Sequence, residues 1–161
     1  FNSISRYTGN FISGMPNGSG MLEYRMGTSY IGQWLDGEFN GRGIIKNSDG
    51  SSIDGHWERN SFSGYGIIIL PDVGILKGNW SKDTFTEVVS IQYADGAEYT
   101  GHIHHGKYHG QGQFIYSDGT YYDGIWKEGI QHGKGKMIFP DKKELDGIWN
   151  NGQFVGSDHN N

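Results

Sequence analysis

Along most of the chain, large and polar residues alternate for about six positions, stop at a turn dipeptide and give way to a second, shorter apolar run. Residues 53–58 show the first part clearly: Ile53, Gly55 and Trp57 alternate with Asp54, His56 and Glu58. A period of two is that of a β-strand with one packed face. The dipeptides that follow, such as Asp36-Gly37, Glu128-Gly129 and Asn151-Gly152, accept positive φ and predict a tight turn. After a glycine pair such as Gly41-x-Gly43 or Gly133-x-Gly135 comes "IIK", "IIIL", "QFIY" or "KMIF", which predicts the returning strand. Ser48-Asp49-Gly50, Ala94-Asp95-Gly96 and Ser117-Asp118-Gly119 then predict a second turn, whose aspartate accepts a hydrogen bond from a backbone N–H two residues on.

This hairpin recurs every 23 residues without insertion, starting at Tyr7, Tyr30, Ile53, Leu76, Tyr99, Tyr122 and Leu145. Residues 1–6 fill the closing positions of a preceding unit, and 145–161 form a partial one. Position 3 of each unit is glycine, from Gly9 to Gly147, and position 5 holds all five tryptophans, Trp34, Trp57, Trp80, Trp126 and Trp149. Hairpins joined by tight turns add to one meander, so the expected fold is all-β: an elongated, single-layer antiparallel sheet of stacked 23-residue hairpins, forming one domain over residues 1–161. Glycines at positions 3 and 14 share a face with the position 5 indole, and a missing side chain there lets an aromatic ring lie flat over the backbone.

Composition agrees with a sheet lacking a thick core: 34% of the 161 residues are hydrophobic, 14% are aromatic and 28 are glycine. A net charge of −5 argues against nucleic acid as a partner, because phosphate binding calls for a basic patch. The absence of cysteine removes disulfides, thiolate zinc sites and cysteine catalysis, and is compatible with an intracellular location. No apolar run reaches the roughly 18 residues of a spanning helix, and no signal-peptide pattern opens the sequence. The chain reads as a soluble segment of something longer.

The pattern Tyr-x-Gly-x-Trp, x-Gly, x-His-Gly-x-Gly and Asp-Gly, fullest at residues 99–121 and 122–144, resembles the MORN repeat (membrane occupation and recognition nexus) over essentially the whole chain. The resemblance implies a gently twisted sheet of stacked hairpins and mostly non-catalytic scaffolding. Such repeats occur in cytoskeletal and ciliary assemblies, in junction proteins that link membranes, and beside the catalytic domains of lipid kinases and a histone methyltransferase. The expected function is therefore a repeat scaffold that binds other proteins, in the cytoplasm, cytoskeleton or cilium, without a cofactor. A module for acidic phospholipids and an auxiliary domain of an enzyme are the alternatives.

Candidate contact residues follow from the two sheet faces. A single layer leaves the face opposite the tryptophans uncovered, and Ile44, Ile67, Ile69, Ile115 and Ile138, at positions 15 and 17, fall there together with Ile31, Ile125 and Ile148. Exposed apolar patches mark partner sites. The aromatic face, with Trp34, Trp57, Trp80 and Trp126, is the second candidate. An open sheet edge would also favour self-association. For an anionic membrane, the less favoured partner, the candidates are Lys127, Lys134, Lys136, Lys142 and Lys143, each with an acidic neighbour within a few residues.

No catalytic constellation emerges. Asp49, Asp72, Asp95, Asp118 and Asp141 recur once per unit at position 20, as a turn acceptor should, whereas a catalytic pair needs two particular carboxylates in a cleft. "GYG" and "GQG" lack the lysine, the Ser or Thr and the helix of a phosphate loop. His109 and His132 belong to the repeat. His102 and His104, at i and i+2, share a strand face as a weak zinc pair, and a third ligand must come from His56, His109, an acidic side chain or another molecule. Residues 76–98 break the pattern, with Asp83, Glu87 and Val89 where other units have glycine, so a local change of twist or a partner contact is expected there.

Overall fold

A computed structural model describes the backbone of residues 4–157 and the side chains of residues 6–84 and 88–157. Residues 1–3 and 158–161, at the outer ends of the two partial repeats, and the side chain of Glu87 lie outside the described residues.

All regular structure among the described residues is β. The strands are β1 (Ile4–Ile12), β2 (Met15–Tyr24), β3 (Ser29–Leu35), β4 (Glu38–Lys46), β5 (Ser52–Glu58), β6 (Ser61–Leu70), β7 (Gly74–Ser81), β8 (Thr84–Tyr93), β9 (Glu98–His104), β10 (Lys107–Ile115), β11 (Tyr121–Lys127), β12 (Ile130–Ile138), β13 (Glu144–Asn150) and β14 (Gln153–Gly156). The chain divides into two compact units, Phe1–Thr86 and Glu87–Asn161, and the division falls inside the irregular repeat. In the first unit β1 to β7 pair antiparallel with their neighbours in chain order. In the second, β8 to β14 do the same. Each unit is the antiparallel meander of hairpins that the period predicts.

The first turn of each hairpin has two residues, both at positive φ, as in Asp36 (52°) and Gly37 (84°). This backbone twist matches that of the flanking strands. Its second residue also ties one hairpin to the one before: Gly37 N–H donates to Pro16 C=O at 2.9 Å, and Gly129 N–H donates to Tyr108 C=O at 2.9 Å. The second turn uses its aspartate as expected, with Oδ1 of Asp49, Asp95, Asp118 and Asp141 accepting from the N–H of Ser51, Ala97, Thr120 and Lys143 at 2.8 to 3.0 Å. The Ser51 hydroxyl adds a second bond and holds the Asp49 carboxyl below its ordinary range.

The ring lying over the glycines is the position 1 tyrosine. A Cβ on Gly43 would sit 2.5 Å from Tyr30 Cζ and 2.6 Å from its Cε2. Gly32, the cross-strand partner of Gly43, has equally little room, with Gly43 Cα 2.5 Å from where its Cβ would be. Tyr7, Tyr99 and Tyr122 cover their own glycine pairs in the same way, while Phe62 does so for Gly55 and Gly66. The tyrosine hydroxyl then donates to the carbonyl three residues on: Tyr30 to Gln33 at 2.9 Å, Tyr99 to His102 at 2.7 Å and Tyr122 to Ile125 at 3.1 Å.

The indoles link successive repeats. Nε1–H of Trp34, Trp57, Trp126 and Trp149 donates to the carbonyl of Gly20, Gly43, Gly112 and Gly135 at 2.9 to 3.2 Å, always 14 residues back. Position 10 supplies another ring. Tyr30 stacks on Phe39 with centroids 3.7 Å apart, and Tyr99 stacks on Tyr108 at 4.0 Å. Each such contact contributes about 0.5–1.5 kcal/mol beyond its buried area. Leu22, Tyr30, Trp34, Trp57 and Phe62 are the buried cluster of the first unit, and Val89, Ile91, Tyr99, Tyr122, Trp126 and Trp149 are buried in the second.

The irregular repeat keeps its first turn in spite of losing the glycine. Asp83 adopts φ of 65°, its N–H donates to Phe62 C=O at 3.0 Å, and its Oδ1 accepts from Phe62 N–H at 2.7 Å. Asn60 does the same with Phe39 N–H at 2.8 Å. A short polar side chain tolerates the left-handed region and supplies an extra bond. Val89 is fully buried opposite Gly101, in the one complete repeat whose position 1 holds leucine.

Gly43→Ala is expected to lower the unfolding free energy by about 1–3 kcal/mol, the cost of overpacking. That cost should shrink in a Tyr30→Leu background, giving positive coupling in a double-mutant cycle read by urea denaturation.

Burial raises the Tyr30 and Tyr122 hydroxyls to about 12 and pushes Tyr99 and Tyr108 up as well. The folded state then holds protons that the unfolded chain releases near pH 10. Their contribution is complete below pH 10 and is lost as the pH rises through about 12 for Tyr30 and Tyr122. The denaturation midpoint should be flat from neutrality to pH 9 and fall steeply above pH 10, with tyrosinate absorbance appearing alongside unfolding.

Candidate partner-binding surface

Antiparallel partners point to the same face, so register decides which isoleucines stand together. In the first unit, Met21, Ile31, Ile44, Asp54, Ile67 and Lys77 form one cross-strand row on the face away from the indoles. Ile69 pairs with Ile75 in the adjacent row. Ile31 and Ile69 are 42% and 39% exposed, and Ile44 and Ile67 are half-buried by their neighbours. Met21 and Ile75 were not among the sequence candidates. Pairing of position 2 with position 15 of its own and of the preceding unit would have found Met21.

The same face of the second unit is polar at its centre. Ser90, Thr100, Gln113, Asp123, Lys136 and Asp146 form the corresponding row. Gln111 and Gln113 donate to the Asp123 carboxylate at 2.8 and 3.1 Å. Ile115 and Ile138 flank Tyr121 in the next row, whereas Ile125 faces Gln111 and Ile148 faces Lys134. The apolar row thus belongs to the first unit.

The tryptophans lie elsewhere than on a contact surface. Trp34, Trp57 and Trp126 are 6%, 4% and 3% exposed, and Trp80 is partly buried against the first cluster. Edge-on and tilted ring contacts occupy the indoles that the sequence placed on an open aromatic face, and Trp34, Trp57 and Trp126 also donate to glycine carbonyls.

Of the lysines, Lys136 lies 2.7 Å from Glu144 and opposite both Asp123 and Asp146, and the Glu144 bond raises its pKa. Lys134 and Lys136 border a shallow groove of about 470 Å3 that Asp123 and Asp146 also line. Lys127 ends β11, and Lys142 and Lys143 sit at the turn before β13. Carboxylates interleave with the ammonium groups, and no uniformly cationic surface forms among these five residues.

The histidines rearrange relative to expectation. His102 Nδ1 lies 3.2 Å from the Gln111 carbonyl, and His104 turns instead to His109, with ring centroids 5.3 Å apart. His104, His109 and Glu128 each offer a ligand atom within 4.8 Å of the others. The slip in register between His109 and Gly112 sets His109 directly opposite His102 and diagonal to His104, but the His102 ring is taken up by the Gln111 carbonyl, which leaves His104 as the imidazole beside His109. Glu128 comes from the next repeat, 24 residues after His104, which no local spacing reveals.

Compared with curated protein sequences, the chain has no match. Among solved structures, it is similar to the TCP domain of SAS-4 (dCPAP) of Drosophila melanogaster, in complex with a proline-rich motif of Ana2 (dSTIL). Identity is 11% over 90% of each chain, with a TM-score of 0.38. The MORN repeat model matches at residues 7–29, 30–52, 54–72, 99–121 and 122–143, passing over the irregular unit. That repeat is a non-catalytic module of protein and membrane interaction. With five matched repeats covering more than half of the sequence, and with hairpins, turns and glycine pairs recurring in phase with them, the chain belongs to the MORN repeat family.

Proposed function

We propose that this chain is a non-catalytic scaffold that binds other proteins through the outer face of its first unit, within an intracellular assembly of cytoskeletal, ciliary or membrane-associated type. The observation that carries this reading is the row of Met21, Ile31, Ile44 and Ile67, with Ile69 and Ile75 beside it. Apolar side chains in register over several strands form a patch that burial against a partner stabilises, at about 25 cal/mol per Å2. The indoles, already packed, act from beneath by fixing the strands that carry the row. An acidic lipid surface is the weaker partner, because Glu144, Asp123 and Asp146 surround Lys136.

Affinity capture with cross-linking should recover a defined set of proteins. Ile31→Lys and Ile44→Lys are expected to weaken that capture by about tenfold or more, as loss of a central contact does. Lys134→Glu and Lys142→Glu should leave it unchanged. Capture indifferent to the isoleucines, or strong flotation of the unmodified chain on acidic liposomes that the lysine variants abolish, would reverse the assignment.

A further inference from the structure

Three ligand-bearing side chains meet in the second unit where β9, β10 and the β11–β12 turn come together. His104 ends β9, His109 lies in β10 and Glu128 opens the turn at φ of 53°. His109 Nδ1 is buried, makes no hydrogen bond, and stands 3.9 Å from Glu128 Oε1. A buried ring nitrogen without a partner is uncommon and calls for an explanation. Lys107 Nζ bonds the other carboxylate oxygen, Oε2, at 3.0 Å, which leaves Oε1 directed at the histidine. The same bond holds the Glu128 carboxyl below its ordinary range, so it is ionised at neutral pH.

Comparison with the other repeats isolates this step. The three residues occupy position 6 and position 11 of one unit and position 7 of the next. At the corresponding places stand Ile12, Asn17 and Asp36, then Leu35, Asn40 and Arg59, then Glu58, Ser63 and Lys82, then Lys127, His132 and Asn151. Asn17 Nδ2 donates to Asp36 Oδ1 at 3.3 Å, so the contact between positions 11 and 7 belongs to the scaffold. At the 99–128 step alone among these does every position carry a zinc-type donor.

We propose that His104, His109 and Glu128 bind a divalent transition-metal ion of the zinc class, with a fourth position open to water or to a partner's side chain. Two imidazoles and one carboxylate are a donor set that zinc accepts at about 2.0–2.2 Å. Tetrahedral coordination at that length separates ligand atoms by about 3.4 Å, so ligand atoms within 4.8 Å of one another need to approach by no more than about 1.4 Å to share one ion. Calcium and magnesium are disfavoured, because they take oxygen ligands and a single carboxylate is offered. The site joins two successive repeats and uses none of the isoleucine row, so it stands apart from the protein-binding surface.

Calorimetric titration of the whole chain with zinc chloride should saturate at one ion per chain, with magnesium giving no heat. Cobalt(II) should develop the visible absorption of a four-coordinate site. His109→Gln and Glu128→Gln are each expected to weaken binding by about tenfold or more, since even loss of a supporting residue costs that much. Glu128→Asp should restore part of it. His102→Ala, His105→Ala and His132→Ala should bind as the parent does, and each variant should keep the β spectrum of the parent by circular dichroism. An absence of saturable binding, indifference to Glu128→Gln, or loss of binding in the His102 or His105 variant would each overturn the proposal.

Discussion

The contact on which the rest of the sheet depends is a tyrosine ring laid across two glycines paired on adjacent strands. Tyr30 over Gly32 and Gly43 shows all its parts. The ring covers backbone that carries no side chain of its own, and its hydroxyl finishes on the Gln33 carbonyl. Most of the buried side chains are rings, and they gain apolar contact by lying close to the main chain. Glycine weakens an isolated strand, and the ring packed against it offsets that weakness. The arrangement also fixes register, because a slip of one residue would put a Cβ under the ring.

The tryptophans extend this local device into a continuous structure. Trp34, Trp57, Trp126 and Trp149 each donate to a glycine carbonyl of the preceding repeat, as Trp57 does to Gly43, and pack edge-on against the tyrosine over that glycine, as Trp57 does with Tyr30. At these four steps a hairpin is therefore completed by the next, the nearest-neighbour stabilisation expected of repeat proteins. Phe62 takes the place of a tyrosine where position 1 is Ile53, and Asp83 takes the place of a turn glycine. Substitutions persist where another side chain supplies the same contact.

Because one face is committed to rings and glycines, the other is free to differ between repeats. In the first unit it is apolar along the row containing Ile31 and Ile44, and in the second it is a polar ladder centred on Asp123. The turn ends vary too, and in one step they bring together His104, His109 and Glu128. A constant inner face with variable outer positions lets one scaffold present different chemistry along its length.

The sequence by itself determined the secondary structure and much of the packing. The 23-residue period, the alternation around Trp57 and the Asp-Gly dipeptides place strands and turns, because these depend on residues close in the chain. The role of Asp49, Asp95, Asp118 and Asp141 as turn acceptors follows for the same reason. Tertiary structure decided what depends on pairing between strands. It put the tyrosine rather than the indole over the glycines, and it buried Trp34, Trp57 and Trp126. It added Met21 to the isoleucine row and exchanged His102 for His109 and Glu128 beside His104. Alternation names the face of each residue within its own strand, but a slip such as the one between His109 and Gly112 is set by the partner strand, and it decides which side chains become neighbours.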